Sequence, residues 1–315
     1  MNFYRKLNLA FYILALSTFL LIGNDLPKCQ AFPIYAQQSY ENPRETTGRI
    51  VCANCHLAQK AVNIEVPQSV LPNTVFEATV KIPYDSQQQQ VLGDGSKGPL
   101  NMGAIVILPK GFKLAPKNQI SKEIQAKNKG IYIQPYSKKN NNILVVGPIP
   151  STVHQEITFP ILSPDPANNK NVHFLKYPIY VGGNRGRGQI YPSGEKSNNN
   201  TMLAGITGEV QNIQSNDNGN LMIEIRDNKN NTINQLIPNG INLKVGIGDI
   251  VKQDQPITID PNLGGFGQSE TEIVLQSPKR IQGMIVFFFI LTLAQVIFVL
   301  KKKQFEKVQA FERNF

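Results

Sequence analysis

Two thiols and one imidazole stand at fixed spacing in Cys52-Ala53-Asn54-Cys55-His56. This CxxCH run is the attachment pattern of a covalently held c-type haem. The two intervening residues let both sulfurs reach one edge of a porphyrin, where they add to its vinyl groups. His56 follows at once, so its imidazole can take one axial position on the iron. A thioredoxin-like dithiol would need a βαβ setting, and a zinc site would need a second pair of ligands. Neither accompanies this run, because the only other cysteine is Cys29.

Residues 1–31 read as a secretory leader. Arg5 and Lys6 form a charged start, residues 9–22 are apolar apart from Ser17 and Thr18, and Cys29-Gln30-Ala31 is a small-x-small cleavage site. The apolar stretch is short for a membrane span and right for a leader. Cleavage after Ala31 removes Cys29 and leaves Cys52 and Cys55 for the haem, so no disulfide remains. A second apolar run covers residues 281–300, with Gln282, Thr292 and Gln295 its polar positions. It is long enough to cross a bilayer. Lys301-Lys302-Lys303 follows, which keeps the tail 301–315 on the side of synthesis and puts the exported part on the other.

The net charge of +10 overstates the basicity of the exported part. The chain has 32 basic and 22 acidic residues; the leader takes 3 and 1, and residues 279–315 take 7 and 2, which leaves 22 against 19 in 32–278. Nucleic-acid binding is therefore a poor reading of the high pI. The lysines beside the span meet an anionic membrane surface instead.

The elements that must position the haem are mostly strands. Short β-branched runs between Gly- and Pro-rich turns predict strands at 74–82, 103–108, 142–146, 156–161 and 172–180. Their alternation argues for a β-sandwich. Residues 36–61 are poor in β-branched types, and Ala58-Gln59-Lys60-Ala61 is read as helical. A second, smaller β-unit follows Ser197-Asn198-Asn199-Asn200, with strands expected at 205–210, 221–225, 232–238, 243–251 and 256–259 and turns at Asn218-Gly219 and Asn239-Gly240. Gly264-Gly265-Phe266-Gly267 reads as its end, with a last strand at 272–275. The stretch 243–257 resembles a strand pair of lipoyl-carrier barrels, without their exposed lysine tip.

A sixth iron ligand is needed, and the residues alone leave Met102, Met202, Met222, His154 and His173 open.

Several longer motifs carry a resemblance. Phe32-Pro33-Ile34-Tyr35-Ala36-Gln37-Gln38, Asn42-Pro43-Arg44-Glu45 and the haem motif with Leu57-Ala58-Gln59-Lys60-Ala61 closely resemble the cytochrome f family. So do Val146-Gly147-Pro148, Leu162-Ser163-Pro164-Asp165-Pro166 and Gly182-Gly183-Asn184-Arg185-Gly186-Arg187-Gly188-Gln189. Gly264-Gly265-Phe266-Gly267-Gln268 and the tail from Lys301 to Gln309 complete it. The likeness spans 32–315.

The resemblance implies an elongated, mostly β, two-domain protein. The large domain, 32–199 with 263–280, is implied to be an immunoglobulin- or fibronectin-III-like sandwich holding haem c. The small domain, 200–262, is implied to be a lipoyl-like barrel-sandwich, with one C-terminal transmembrane helix at 281–300. It implies the α-amino group of mature residue Phe32 as the second axial ligand of a six-coordinate iron. An α-amino group has an ordinary pKa near ~8, so it deprotonates readily as a ligand must. Many relatives begin with Tyr, but a backbone nitrogen survives that change. Pro33, Tyr35, Pro148, Tyr191 and Pro192 are implied to surround the haem, and Asn184, Gln189, Asn199 and Asn262 to line an internal water chain.

The implied function is photosynthetic electron transport within the cytochrome b6f complex, beside cytochrome b6 and subunit IV. Single electrons arrive from the Rieske iron–sulfur protein and leave to plastocyanin or cytochrome c6. The implied place is the thylakoid membrane, with the large part in the lumen and the tail on the stromal or cytoplasmic side. Green relatives carry a lysine-rich docking ridge; here the window is Ser86-Gln87-Gln88-Gln89-Gln90, with Lys97 the nearest cation. That depletion points to a non-green plastid or a cyanobacterium as the source, with cytochrome c6 a candidate acceptor; of the two sources the plastid of a non-green alga is preferred. Two other classes stay open on the motif alone. A haem peroxidase or oxygen sensor would bind CO at an open axial site, and a structural β-adhesin would hold no covalent haem.

Overall fold

The computed structural model describes residues 33–150 and 156–313. The leader, Phe32 and His154 lie outside the described residues.

In chain order the first strands are β1 (Asn63–Glu65), β2 (Ser69–Val70), β3 (Val75–Lys81), β4 (Gln89–Val91), β5 (Lys97–Pro99) and β6 (Asn101–Ile107). There follow β7 (Lys113–Leu114), β8 (Ile133–Pro135), β9 (Ile143–Pro150), β10 (Glu156–Leu162) and β11 (Lys176–Arg185). The last are β12 (Gly208–Ser215), β13 (Leu221–Arg226), β14 (Thr232–Ile237), β15 (Ile250–Val251) and β16 (Gly265–Leu275). The helices are α1 (Pro33–Ser39), α2 (Lys122–Lys127) and α3 (Pro278–Glu312). The chain is thus mostly β with few helices, as expected.

A four-stranded sheet, β1-β3-β10-β7, and a six-stranded sheet, β2-β16-β11-β6-β9-β8, share one apolar core. Strand β3 shows why. Its Phe76, Ala78 and Val80 are buried while the residues between them are half-buried, the period-two pattern of a strand with one wet face. Facing them across the core are Met102, Ala104 and Val106 of β6 and Ile179 and Val181 of β11.

The six-stranded sheet is covered on its other face too. Ile105, Val145 and Phe266 there contact Ile50 and Tyr136, with Ala36 and Cys52 packed on them. This is why β6, NMGAIVI, is apolar almost throughout: it has no wet face over most of its length. The N-terminal segment supplies that second cover, and it carries the haem motif.

A third sheet, β14-β13-β12-β15, has its own cluster around Val210, Ile223, Ile225 and Ile237. Hairpin β12–β13 turns through Asn216–Asn220, where Gly219 has φ 76. The expected strand at 243–251 is reduced to β15, and Leu243 makes only an isolated bridge to Thr258.

Helix α3 is capped by Ser277, whose side chain accepts from Arg280 N, and has Pro at its start. It is 35 residues long and none of its most apolar stretch is buried. At about 1.5 Å per residue it is longer than a hydrocarbon core is thick.

Two expectations need correction. Residues 58–61 are not helical: Gln59 forms a parallel bridge to Phe266, Phe266 N donates to Ala58 O, and Lys60 N donates to Phe266 O. The backbone there is taken up by a strand edge, so no local helix can use it. And the last strand, expected at 272–275, starts seven residues earlier, inside the glycine-rich run read as the end of the small unit. Gly265 opens β16, an eleven-residue strand that pairs with β11 along its length.

Candidate functional site

The motif is wound into one turn of 3-10 helix, Val51–Asn54. His56 N and Cys55 N both donate to Cys52 O, at 3.0 and 3.3 Å. The chain then straightens and is clamped from the side. Gln189 N donates to Cys55 O at 2.7 Å, and Leu57 N donates to Gln189 Oε1 at 2.8 Å. Gly188 lies so close that a Cβ on it would stand 3.0 Å from Cys55 O. The motif's shape is therefore imposed by residues more than a hundred positions away.

His56 is 7% exposed. Burial pushes its pKa down to about 4, so the ring is uncharged at neutral pH, the form that binds a metal. Its Nε2 stands 3.5 Å from Asn184 Nδ2, and its Nδ1 has no partner among the described residues. Cys52 and Cys55 are free thiols. Burial pushes the Cys52 thiol up to about 12 and raises that of Cys55 as well. A dithiol redox motif needs the opposite, a depressed thiol pKa.

Both cysteines and His56 line one apolar cleft on the outer face of the six-stranded sheet. Its floor is Gly103, Ala104 and Ile105 of β6, Val145 and Val146 of β9, Gly182 and Asn184 of β11, and Phe266 of β16. One wall is Pro33, Tyr35, Ala36 and Tyr40; another is Arg187, Gly188, Tyr191 and Pro192. A flat apolar group tethered through two adjacent thiols, beside an imidazole with an open buried nitrogen, fits these residues.

Of the expected surroundings, Pro33, Tyr35, Tyr191 and Pro192 do line the cleft, and Pro148 does not. Pro148 lies two residues beyond Val146 on β9, past the cleft's edge. Asn184 reaches the cleft beside His56. The other three polar candidates lie behind it, around the carbonyl of Arg187. Asn199 Nδ2 donates to that carbonyl at 2.9 Å and to Asn262 Oδ1 at 3.2 Å, and Gln189 Nε2 approaches the same carbonyl at 3.4 Å. None of the Met or His candidates for the sixth ligand that are described lines the cleft. Met102 is in the sandwich core, Met202 packs on the small cluster, and Met222 and His173 are exposed.

Three residues escaped the sequence reading. Tyr136, 3% exposed, lines the cleft and binds α1: Gln37 Nε2 donates to its carbonyl at 2.7 Å. Arg187 is buried, with Nη1 donating to Val91 O and Asn198 Oδ1 and Nη2 to Tyr191 OH. Gln90 is buried too, accepting from Arg187 N and donating to Pro99 O. Arg187 had a signal, since a charged side chain inside a Gly-rich run must find buried partners; Gln90, the last of four glutamines, had none. Tyr136 had none.

Two free thiols and one buried neutral imidazole around an apolar cleft, on a β-framework with an apolar C-terminal helix, define a c-type cytochrome. Comparison with known proteins narrows this. The family models "Apocytochrome F, N-terminal" and "Apocytochrome F, C-terminal" match residues 32–186 and 198–315. The chain is 65% identical over 285 residues to the cytochrome f of Porphyra purpurea, covering 90% of this chain and 89% of that one. It is 60% identical to that of Emiliania huxleyi, over 90% and 91% of the two chains. It is 56% identical to that of Rhodomonas salina over 315 residues, 100% of this chain and 99% of that one. The chain belongs to the cytochrome f family, the c-type cytochrome of the b6f complex, and its role is electron transfer. Among solved structures, a cohesin module of a Clostridium perfringens family 33 glycoside hydrolase matches with a TM-score of 0.26 and 8% identity, covering 68% of this chain and 96% of that one; so slight a likeness carries no argument.

Proposed function

We propose that the chain holds one haem c through thioethers at Cys52 and Cys55, with His56 and the α-amino group of Phe32 as axial ligands. The observation that carries this is the shared cleft: the two free thiols, the uncharged His56 and Pro33, the residue next to Phe32, all line it. A bound haem supplies a reversible one-electron couple at its iron. The chain's own part is to hold the ring and keep water from it. The apolar floor and the wall of Pro33, Tyr35, Tyr191 and Pro192 lower the local polarity, which favours the less charged ferrous state.

The chain passes single electrons from the Rieske iron–sulfur protein to plastocyanin or cytochrome c6, beside cytochrome b6 and subunit IV, and performs no bond chemistry of its own. Asn184, Gln189, Asn199 and Asn262 hold a chain of waters behind His56; the buried, unpartnered Asn199 Oδ1 supports this. The large domain is 32–199 with 263–280 and the small one 200–262. In support, the cluster around Val210 and Ile223 draws only on residues of the latter range. Residues 281–300 cross the thylakoid membrane once, with the large part in the lumen and the tail 301–315, headed by three lysines, on the stromal side.

The test is to extend the mature N-terminus by one residue and record the haem spectrum and potential. Both should change, and the ferrous protein should begin to bind CO. An unchanged spectrum and potential would remove Phe32 as the ligand. Ready CO binding by the unmodified ferrous protein would overturn the closed coordination shell.

A further inference from the structure

Strand β16 runs from the haem cleft to the membrane anchor. Phe266 at its start lines the cleft, and Leu275 at its end precedes Pro278 of α3 by three positions. At about 3.3 Å per residue those ends are roughly 30 Å apart. The far end, where the chain enters α3, has an unusual surface. Three backbone segments converge there: Leu275 N donates to Leu175 O at 3.0 Å, Gln276 N to Val70 O at 2.8 Å, and Val274 N to Gln68 O at 3.0 Å. Beside these contacts stand Leu71, Phe174 and Leu175, which are 43%, 39% and 55% exposed.

Isolated exposed apolar residues are ordinary. These three differ in being brought together by one strand end, on turns that are built rigidly. Ser163 Oγ and Thr74 Oγ1 both donate to Leu71 O at 2.7 Å. Tyr177 OH accepts from His173 N at 2.9 Å and donates to His173 O at 2.8 Å, while Leu175 N also donates to His173 O at 3.0 Å. Turns of this kind usually carry polar side chains. Lys279 and Arg280 open α3 next to them, the residue types that meet lipid phosphates.

We propose that Leu71, Phe174 and Leu175 form a foot that rests in the lipid interface around the start of α3. The occupant is the bilayer, because the patch is continuous with the segment that enters it, and its apolar and basic groups match an acyl boundary under phosphate headgroups. The foot gives the sandwich a second point of support beside the single helix, and so fixes how the haem cleft is held above the membrane. The inference rests on α3 crossing the bilayer.

The chain contains no Trp, so one introduced indole reports its own site. The full-length haem-loaded protein is made as Phe174→Trp, as Leu175→Trp, as Ile250→Trp in the small sheet, where Ile250 is 78% exposed, and as Phe288→Trp inside α3. Each is reconstituted in phosphatidylcholine vesicles with brominated acyl chains, after its haem absorbance is checked against the parent. The lipid should quench the indole of the Phe174→Trp and Leu175→Trp proteins severalfold more than that of Ile250→Trp, with emission shifted to the blue. It should quench that of Phe288→Trp most. If iodide in the water quenches the two foot variants while the lipid does not, and Phe288→Trp remains quenched by lipid, the foot is wrong and the span stands. If both foot variants are shielded from both quenchers, protein covers the patch and the proposal is equally overturned. If the indole of Phe288→Trp escapes the lipid, the span reading falls and the foot falls with it.

Discussion

The hydroxyl of Tyr136 stands 2.6 Å from the carbonyl oxygen of Tyr40 and 2.6 Å from that of Ala36. One hydroxyl proton serves two acceptors, one at a time, and both belong to the turn that closes α1. Tyr136 comes from the end of β8, almost a hundred residues away, and it lines the haem cleft as well. It therefore fastens the N-terminal segment over the cleft. Tyr136→Phe keeps the ring's packing and removes the bond. The expected loss is about 1 kcal/mol of stability, read as a lower denaturant midpoint at unchanged slope. Because α1 leads back to Phe32, the ferrous variant should also bind CO faster than the parent.

The same residue sets an alkaline limit. Burial first, then the neighbouring Cys52 and Tyr40, push the Tyr136 hydroxyl up to about 12 from 10.0. The folded state thus resists losing this proton while the unfolded chain releases it. Stability that is fully present below pH ~10 is lost as pH rises towards ~12, by at most about 3 kcal/mol and by less where solvent screens the hydroxyl. Haem attachment at Cys52 removes one of the minor causes, so the holoprotein should lose somewhat less. Unfolding midpoints measured across that range should fall in the parent and stay flatter in Tyr136→Phe.

What could be read in the sequence follows the range of the interaction concerned. Cys52, Cys55 and His56 announce themselves because thioether chemistry is local and needs one fixed spacing. Strand β3 is legible because Phe76, Ala78 and Val80 alternate with half-buried residues. Strands β11 and β16 depart from expectation at the cleft end for a shared reason. Gly182-Gly183 and Gly265-Phe266-Gly267 lie inside strands, and their glycines are there because another element presses on the backbone. A Cβ at Gly267 would sit 2.0 Å from Lys60 O, and one at Gly265 2.5 Å from Ala58 O. The backbone that presses there is the stretch read as a helix at 58–61, so one long-range pairing accounts for both errors. At the other end, Val172 belongs to a turn closed on Asn169, and β11 begins only at Lys176. The role of Tyr136 depends on partners far along the chain and leaves no local trace.

Gly182 tests this reading of the glycines. A Cβ there would stand 2.6 Å from Phe266 Cζ and 2.9 Å from Ile105 Cγ2, both of them cleft-lining residues. Gly182→Ala must push the Phe266 ring towards the haem or open the pairing of β11 with β16. Overpacking of this kind costs about 1–3 kcal/mol. The expected result is a lower melting temperature and a smaller yield of haem-loaded protein. Gly130→Ala is the control for glycine loss away from the cleft, since a Cβ there meets nothing within 4 Å; its φ of 82 confines the cost to local backbone strain, and haem loading should be kept.

The hairpin β4–β5 bears on partner docking. Its Gln90 is turned inward to hold Arg187, and Gln89 and Lys97 mark its exposed side. Lys97 Nζ lies 3.4 Å from Gly240 O, so even this cation is partly engaged by the turn after β14. With 22 basic and 19 acidic residues in 32–278, the exported part has little net field to add. Long-range steering grows with charge and is screened beyond about 10 Å at moderate salt. Electron transfer to an acidic plastocyanin should then fall by less than about tenfold between low and physiological ionic strength, where strongly steered pairs lose more. Lys97→Gln should change the low-salt rate by less than about twofold, since one partly engaged cation contributes little to the approach. Stopped-flow rates over a salt series check both numbers. A steep fall would mean that cations elsewhere on the cleft face guide the partner, and the choice of acceptor could no longer be argued from this hairpin.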